Sequence, residues 1–95
     1  MLQEDQSKLG EKTLDMNRAI DSLREEFEAV NFYQQRMDAC SDENLKKILQ
    51  HNRDEEKEHA AMLIEWIRQN DQEFAKEAED YFNSDEKDLT SKHSH

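Results

Sequence analysis

The chain has no proline, one glycine (Gly10), one cysteine (Cys40) and one tryptophan (Trp66) among its 95 residues. Without proline, and with its glycine near the start, almost nothing interrupts helix between residues 12 and 82. A lone cysteine excludes an intramolecular disulfide framework and fits a reducing cytoplasm; at its position Cys40 reads as a small apolar filler. Apolar residues are scarce, at 34% against 39% charged, and no apolar run approaches transmembrane length. The polar N-terminus does not read as a signal peptide. Basic residues are outnumbered, 13 against 24 acidic, for a net charge of −11. Such a surface repels nucleic acid and anionic membrane, so neither is expected as a partner, while divalent cations are attracted. The length allows one domain at most.

What the chain does have is two long lines of apolar residues at a 3.5-residue period, the spacing of packed helices. The first runs Ala19, Leu23, Glu26, Val30, Tyr33, Met37, Cys40, and the second Leu45, Leu49, Asn52, Glu56, His59, Leu63, Trp66. They predict one helix from about Lys12 to Ala39 and a second from about Glu43 to Gln69, separated by Cys40-Ser41-Asp42. Ser41 or Asp42 can cap the second helix, and Asp42 and Glu43 suit its positive end. Asn70 or Asp71 then reads as the cap of a third helix reaching about Phe82, with Glu73 placed as in a capping box after Asn70. That helix would bury Phe74, Ala78 and Tyr81 or Phe82, and it is too short to stand undocked in water. Residues 1–11 read as a flexible lead-in, and 83–95 as a disordered polar tail in which His93 and His95 are solvated.

The expected fold is therefore all-α, an antiparallel two-helix hairpin plus a short C-terminal helix. A second line on the first helix, Met16, Ile20, Leu23, Phe27, Val30, Met37, widens its apolar stripe. Phe27 and Trp66 read as core. Two helices cannot enclose a core, so a homo-oligomer is expected.

The charged members of the two seams carry the chemistry. Glu26 and Glu56 are equidistant in sequence from Ser41, so in an antiparallel hairpin both lie roughly 22 Å from the turn at about 1.5 Å rise per residue. Glu56 and His59 form a Glu-x-x-His pair one turn apart on one face. Burying a carboxylate there costs several kcal/mol by rough estimate unless something pairs with it, and a metal satisfies carboxylate and imidazole together. Four-helix di-iron proteins need a Glu from each of two helices and a Glu-x-x-His from each of the other two. This chain holds one of each, so two chains about a two-fold axis would complete a ferritin-like four-helix bundle with its centre at their interface. Carboxylates with few imidazoles suit iron or manganese better than structural zinc.

With those residues placed, His51-Asn-Arg-Asp-Glu-Glu-Lys-Glu-His-Ala-Ala-Met62, with Glu25-Glu26-Phe-Glu28-Ala-Val and Tyr33 upstream, resembles the encapsulated ferritins, bacterial and archaeal ferritin relatives housed in encapsulin nanocompartments. The resemblance covers roughly residues 13–82. It implies two-helix protomers that pair into a four-helix unit, and a ring of five such dimers. It also implies a ferroxidase centre at the dimer interface that oxidises Fe(II) with oxygen and delivers iron for storage in the encapsulin lumen. By motif, Glu26, Glu56 and His59 match the family's iron ligands and Tyr33 the tyrosine beside them. Glu25 and Glu28 match acids on the path by which metal reaches the centre, and His51, Glu55 and Glu58 match a secondary outer metal site. Two positions depart from the family pattern. Phe32 stands where a Trp is usual before the Tyr, and residues 90–95 (TSKHSH) do not match the short apolar, Gly-containing peptide that docks to the shell.

The expected mechanism has two irons bridged by Glu56 from each chain, with His59 and Glu26 completing their coordination. Tyr33, two turns beyond Glu26, either hydrogen-bonds a ligand or donates an electron, or simply packs. His51, Glu55 and Glu58 share one helix face that reads as a solvated acidic surface or a weak metal site. Two other functions compete: a non-catalytic helical adaptor in which the polar seam residues set pairing, and a di-metal protein of other redox chemistry such as peroxide reduction.

Overall fold

Three helices follow one another, and the computed structural model, which describes residues 1–91, contains no strand among them. We number them α1 (Glu11–Ala39), α2 (Glu43–Asn70) and α3 (Gln72–Tyr81). The all-α hairpin with a short third helix is thus as expected, each helix end within one residue of its expected place. His93 and His95 lie outside the described residues.

Local chemistry sets the breaks. Cys40 takes an extended conformation (φ −93°, ψ 136°), and its N–H bonds the Met37 carbonyl at 3.2 Å, which ends α1. Asp42 starts α2: its carboxylate accepts the Leu45 N–H at 2.9 Å, satisfying an orphan donor and placing negative charge at the positive helix end. Between α2 and α3 the cap is Asp71, not Asn70, and it accepts the Phe74 N–H at 3.0 Å. Asn70 instead closes α2, its side-chain amide donating to the Trp66 carbonyl at 2.8 Å, so no capping box begins there. Beyond α3, Asn83 adopts a left-handed φ of 61°, which asparagine tolerates better than most residues. Residues 84–91 then run as turns in which the side chains of Ser84, Glu86 and Asp88 accept backbone N–H groups, ending in a 3-10 turn over Leu89–Ser91. Before α1 there is a 3-10 turn over Gln6–Lys8, and the Met1 amino group pairs with Asp21.

α2 packs against both α1 and α3. On α1 every member of the expected seam, from Ala19 to Cys40, is at least partly withdrawn from solvent. On α2 the buried line is turned: Ala60 and Ile67 lie deepest, each one residue after the expected His59 and Trp66. One residue is about 100° around a helix. Small Ala60 facing α1 lets the two helices approach, and His59 is carried to the edge of the contact.

The core is thin. Buried apolar residues are Leu14, Ala19, Ala60, Ile67 and Ala78, most of them alanine, and no large described side chain is fully buried. Phe27 and Trp66, expected in the core, are 50% and 37% exposed. Each long helix has one long neighbour, so its stripe is covered along one edge only. The radius of gyration is 17.3 Å, where a compact chain of this length would have about 12 Å.

Candidate metal centre

Helix α1 carries Glu26 into the hairpin contact, and α2 brings Glu56 and His59 to the same level from the opposite direction. Among the described residues this is the one group of three His, Cys, Asp or Glu side chains whose ligand atoms all lie within 4.8 Å of one another. The His59 Nδ1 atom stands 3.4 Å from Glu26 Oε2 and 3.5 Å from Glu56 Oε2. Those distances are long for N–H···O hydrogen bonds, whose usual range is about 2.7–3.2 Å. They suit atoms sharing a small cation, since ligands on bonds of about 2.1 Å, at tetrahedral or octahedral angles, stand roughly 3.0–3.4 Å apart.

The oxygen that matters most is Glu26 Oε2, which is sealed from solvent and accepts no hydrogen bond. A desolvated carboxylate oxygen without a donor is costly by about 1–3 kcal/mol or more, so it calls for a cation or a proton. The donor set, two carboxylates and one imidazole, fits iron or manganese. Burial is graded across the site: the side chains of Glu26 and Glu56 are 23% and 25% exposed, His59 44%. The imidazole edge is the open side, and Met62 and Trp66, one and two turns along α2, leave apolar surface beside it.

The other candidates are placed as follows. Tyr33 is half-buried on the inner face of α1, with the Arg36 guanidinium 5.5 Å from its ring centroid and 6.0 Å from that of Phe32, within cation–π range. Glu25 and Glu28 are exposed on either side of Glu26. His51 Nε2 and Glu55 Oε1 pair at 2.7 Å on the surface of α2, and Glu58 does not join them in a three-ligand group.

The sequence reading missed Arg53. Its side chain is only 16% exposed, and it donates from Nη1 to Gln34 Oε1 on α1 at 2.6 Å. The available signal was its place three residues before Glu56 and seven before Ala60, on the line that turns inward.

A ferritin-like helical hairpin bearing a candidate carboxylate–histidine metal site is the class these features define. A family model described as "EncFtn-like" matches residues 1–85, and the chain belongs to that family. It is 55% identical over 73 residues to the encapsulated ferritin-like protein of Rhodospirillum rubrum, a match covering 77% of this chain and 52% of that protein. It is 42% identical over 59 residues to the encapsulin nanocompartment cargo protein EncC of Myxococcus xanthus, covering 62% of this chain and 45% of that one. The chain thus spans about half the length of these curated relatives. The crystal structure of protein ne0167 from Nitrosomonas europaea superposes with a TM-score of 0.87 at 58% identity, covering 90% of this chain and 93% of that one. No described helix is long and apolar enough to cross a membrane.

Proposed function

We propose that this protein is a ferroxidase, oxidising Fe(II) to Fe(III) with oxygen at a di-iron centre built from two copies of the Glu26–Glu56–His59 half-site. The observation that carries the reading is the sealed, donorless Glu26 Oε2 converging with His59 Nδ1 and Glu56 Oε2 at metal-ligand spacing. A second copy closing over the exposed edge of His59 would double the ligand set to the full complement of a four-helix di-iron protein. It would also cover Met62, 59% exposed, and Trp66.

Iron supplies the redox chemistry when bound, each Fe(II) giving one electron to oxygen. The chain's residues do the rest. Glu26 and Glu56 hold metal with negative charge, which favours the ferric state over the ferrous. His59 contributes its Nδ1 from the open edge. Tyr33, seven residues along α1 from Glu26, serves in this reading as a hydrogen-bond or electron donor. Exposed Glu25 and Glu28 raise the local concentration of the cation. His51 and Glu55, with Glu58 nearby in sequence, offer a weak outer site.

As a member of a family that includes encapsulated proteins, the chain is assigned an encapsulin shell as partner and its compartment as location, where oxidised iron would be stored. Dimers, and rings of five dimers, are the assembly this reading carries.

The decisive experiment follows aerobic Fe(II) oxidation by absorbance for the wild type and Glu56→Ala. Fast oxidation that drops to the buffer rate in the variant is expected. Equal slow rates would make the Glu–His cluster structural and favour an adaptor. Faster turnover with hydrogen peroxide than with oxygen would instead assign peroxide reduction.

A further inference from the structure

The three-residue connection over residues 40–42 sets the coarse alignment of the two helices, and the seam's own contacts add little to its fine register. Alanine and leucine contacts change little when one helix slides on another, and buried polar pairs are the usual device that selects one alignment. The metal reading makes alignment matter: a slip of one residue moves the helices by about 1.5 Å, against metal bonds of about 2.1 Å.

Resting on that reading, we infer that Arg53 is a positioning residue of the centre, tying α2 to Gln34 of α1 and so setting the register at which Glu26 meets Glu56 and His59. An arginine side chain is seldom as withdrawn as this one, at 16% exposure. Its guanidinium is held from two directions. Nε and Nη2 each lie 3.0 Å from Asp54 Oδ1, and Nη1 reaches across to Gln34 Oε1 at 2.6 Å. With one edge fixed by its own helix, the planar group has its remaining donors at a set distance from α1.

The crossing point is well placed. Arg53 is one turn before Glu56 on α2, and Gln34 follows Tyr33 on α1, two turns towards the hairpin bend from Glu26. Both partners sit on the bend side of the centre, so the link and the ligand cluster are successive cross-connections along one seam.

A bare electrostatic role predicts the opposite result. Removing a positive charge near two carboxylates would strengthen cation binding, whereas losing a register clamp weakens it. The test measures anaerobic Co(II) binding by visible absorption, with helicity and thermal unfolding recorded alongside. The proteins compared are the wild type, Arg53→Met, Gln34→Leu, the double variant, Arg53→Lys with Gln34→Glu, and Glu56→Ala. Arg53→Met and Gln34→Leu are each expected to weaken Co(II) binding about 10- to 100-fold at temperatures where they remain fully helical. The double variant should be no worse than the weaker single, since both cut one link. The Lys–Glu pair should recover most of the affinity.

Unchanged or tighter binding by Arg53→Met, or a loss that merely follows unfolding, overturns the inference. Should Arg53→Met fail to fold, Gln34→Leu decides, because it leaves the arginine in place. Glu56→Ala separates the two failures. Wild type binding no better than Glu56→Ala sinks the metal reading itself, while tight wild-type binding matched by both clamp variants sinks only the role of Arg53.

Discussion

A carboxylate oxygen closed off from water, with His59 Nδ1 near it but no hydrogen bond made, is the residue-scale fact on which the site turns. In the metal-free chain it is a liability, and Glu26→Gln measures it. Replacing the charge with a neutral isostere should stabilise metal-free protein by up to about 1 kcal/mol, read as a higher thermal midpoint, while abolishing metal binding. A variant both less stable and still metal-binding would show that Glu26 serves packing instead. The three ligand-type residues were legible because Glu26, Glu56 and His59 break an apolar period, and polarity where none is expected is a strong signal. Arg53 was not legible in the same way. An arginine largely withdrawn from solvent looks identical to a surface one until its partner on another helix is known, and nothing in the sequence joins Gln34 to position 53. Asp71 was only half legible, since Asn70 is an equally good cap by residue type and the choice falls to where α2 stops.

Among the elements, α2 carries the most information. Its existence and ends followed from periodicity and from Asp42, but its rotation did not. Heptad spacing fixes which residues share a face, and the relative size of neighbours decides which line lies deepest. Ala60 wins the centre because it is small, and His59 is left at the rim. The last turns of α2 carry an exposed anchor of their own. Arg68 donates to both carboxylate oxygens of Glu65 at 2.7 and 2.6 Å, and Gln69 adds a bond at 2.8 Å. Hydrogen bonds from Arg68 first, and Gln69 second, hold the Glu65 carboxyl down to about 2 from an ordinary 4.5. Because the folded value is the lower one, the contribution of this pair is present above pH 4.5 and is lost as pH falls through about 2. Side-chain carboxyl NMR should find Glu65 titrating well below the other glutamates. A midpoint near 4.5 would mean the Arg68 contact does not persist in solution.

The whole molecule looks like a piece of something larger. Ile20, Phe27, Ile48 and Met62 are each half-exposed or more, at 51%, 50%, 57% and 59%, on a chain whose own core is mostly alanine. The chain's need for a partner was readable from composition. Which faces stay bare was not, because it depends on how α2 is turned. If the centre spans two copies, metal favours association because it binds the assembled form. Stripping metal with a chelator should therefore shift sedimentation toward smaller species, and Fe(II) or Co(II) should restore the larger ones. Full assembly of metal-free protein at dilute concentration would remove metal from the account of assembly.

The thin alanine core reaches beyond stability into supply. If the centre spans two copies, a chain with so little packing of its own cannot hold a reserve of finished sites at low abundance. In the dilute limit the number of completed centres follows the square of the chain count, so halving expression would remove about three quarters of the capacity rather than half. Dosage, more than the quality of any single copy, would then decide how much iron a cell can process.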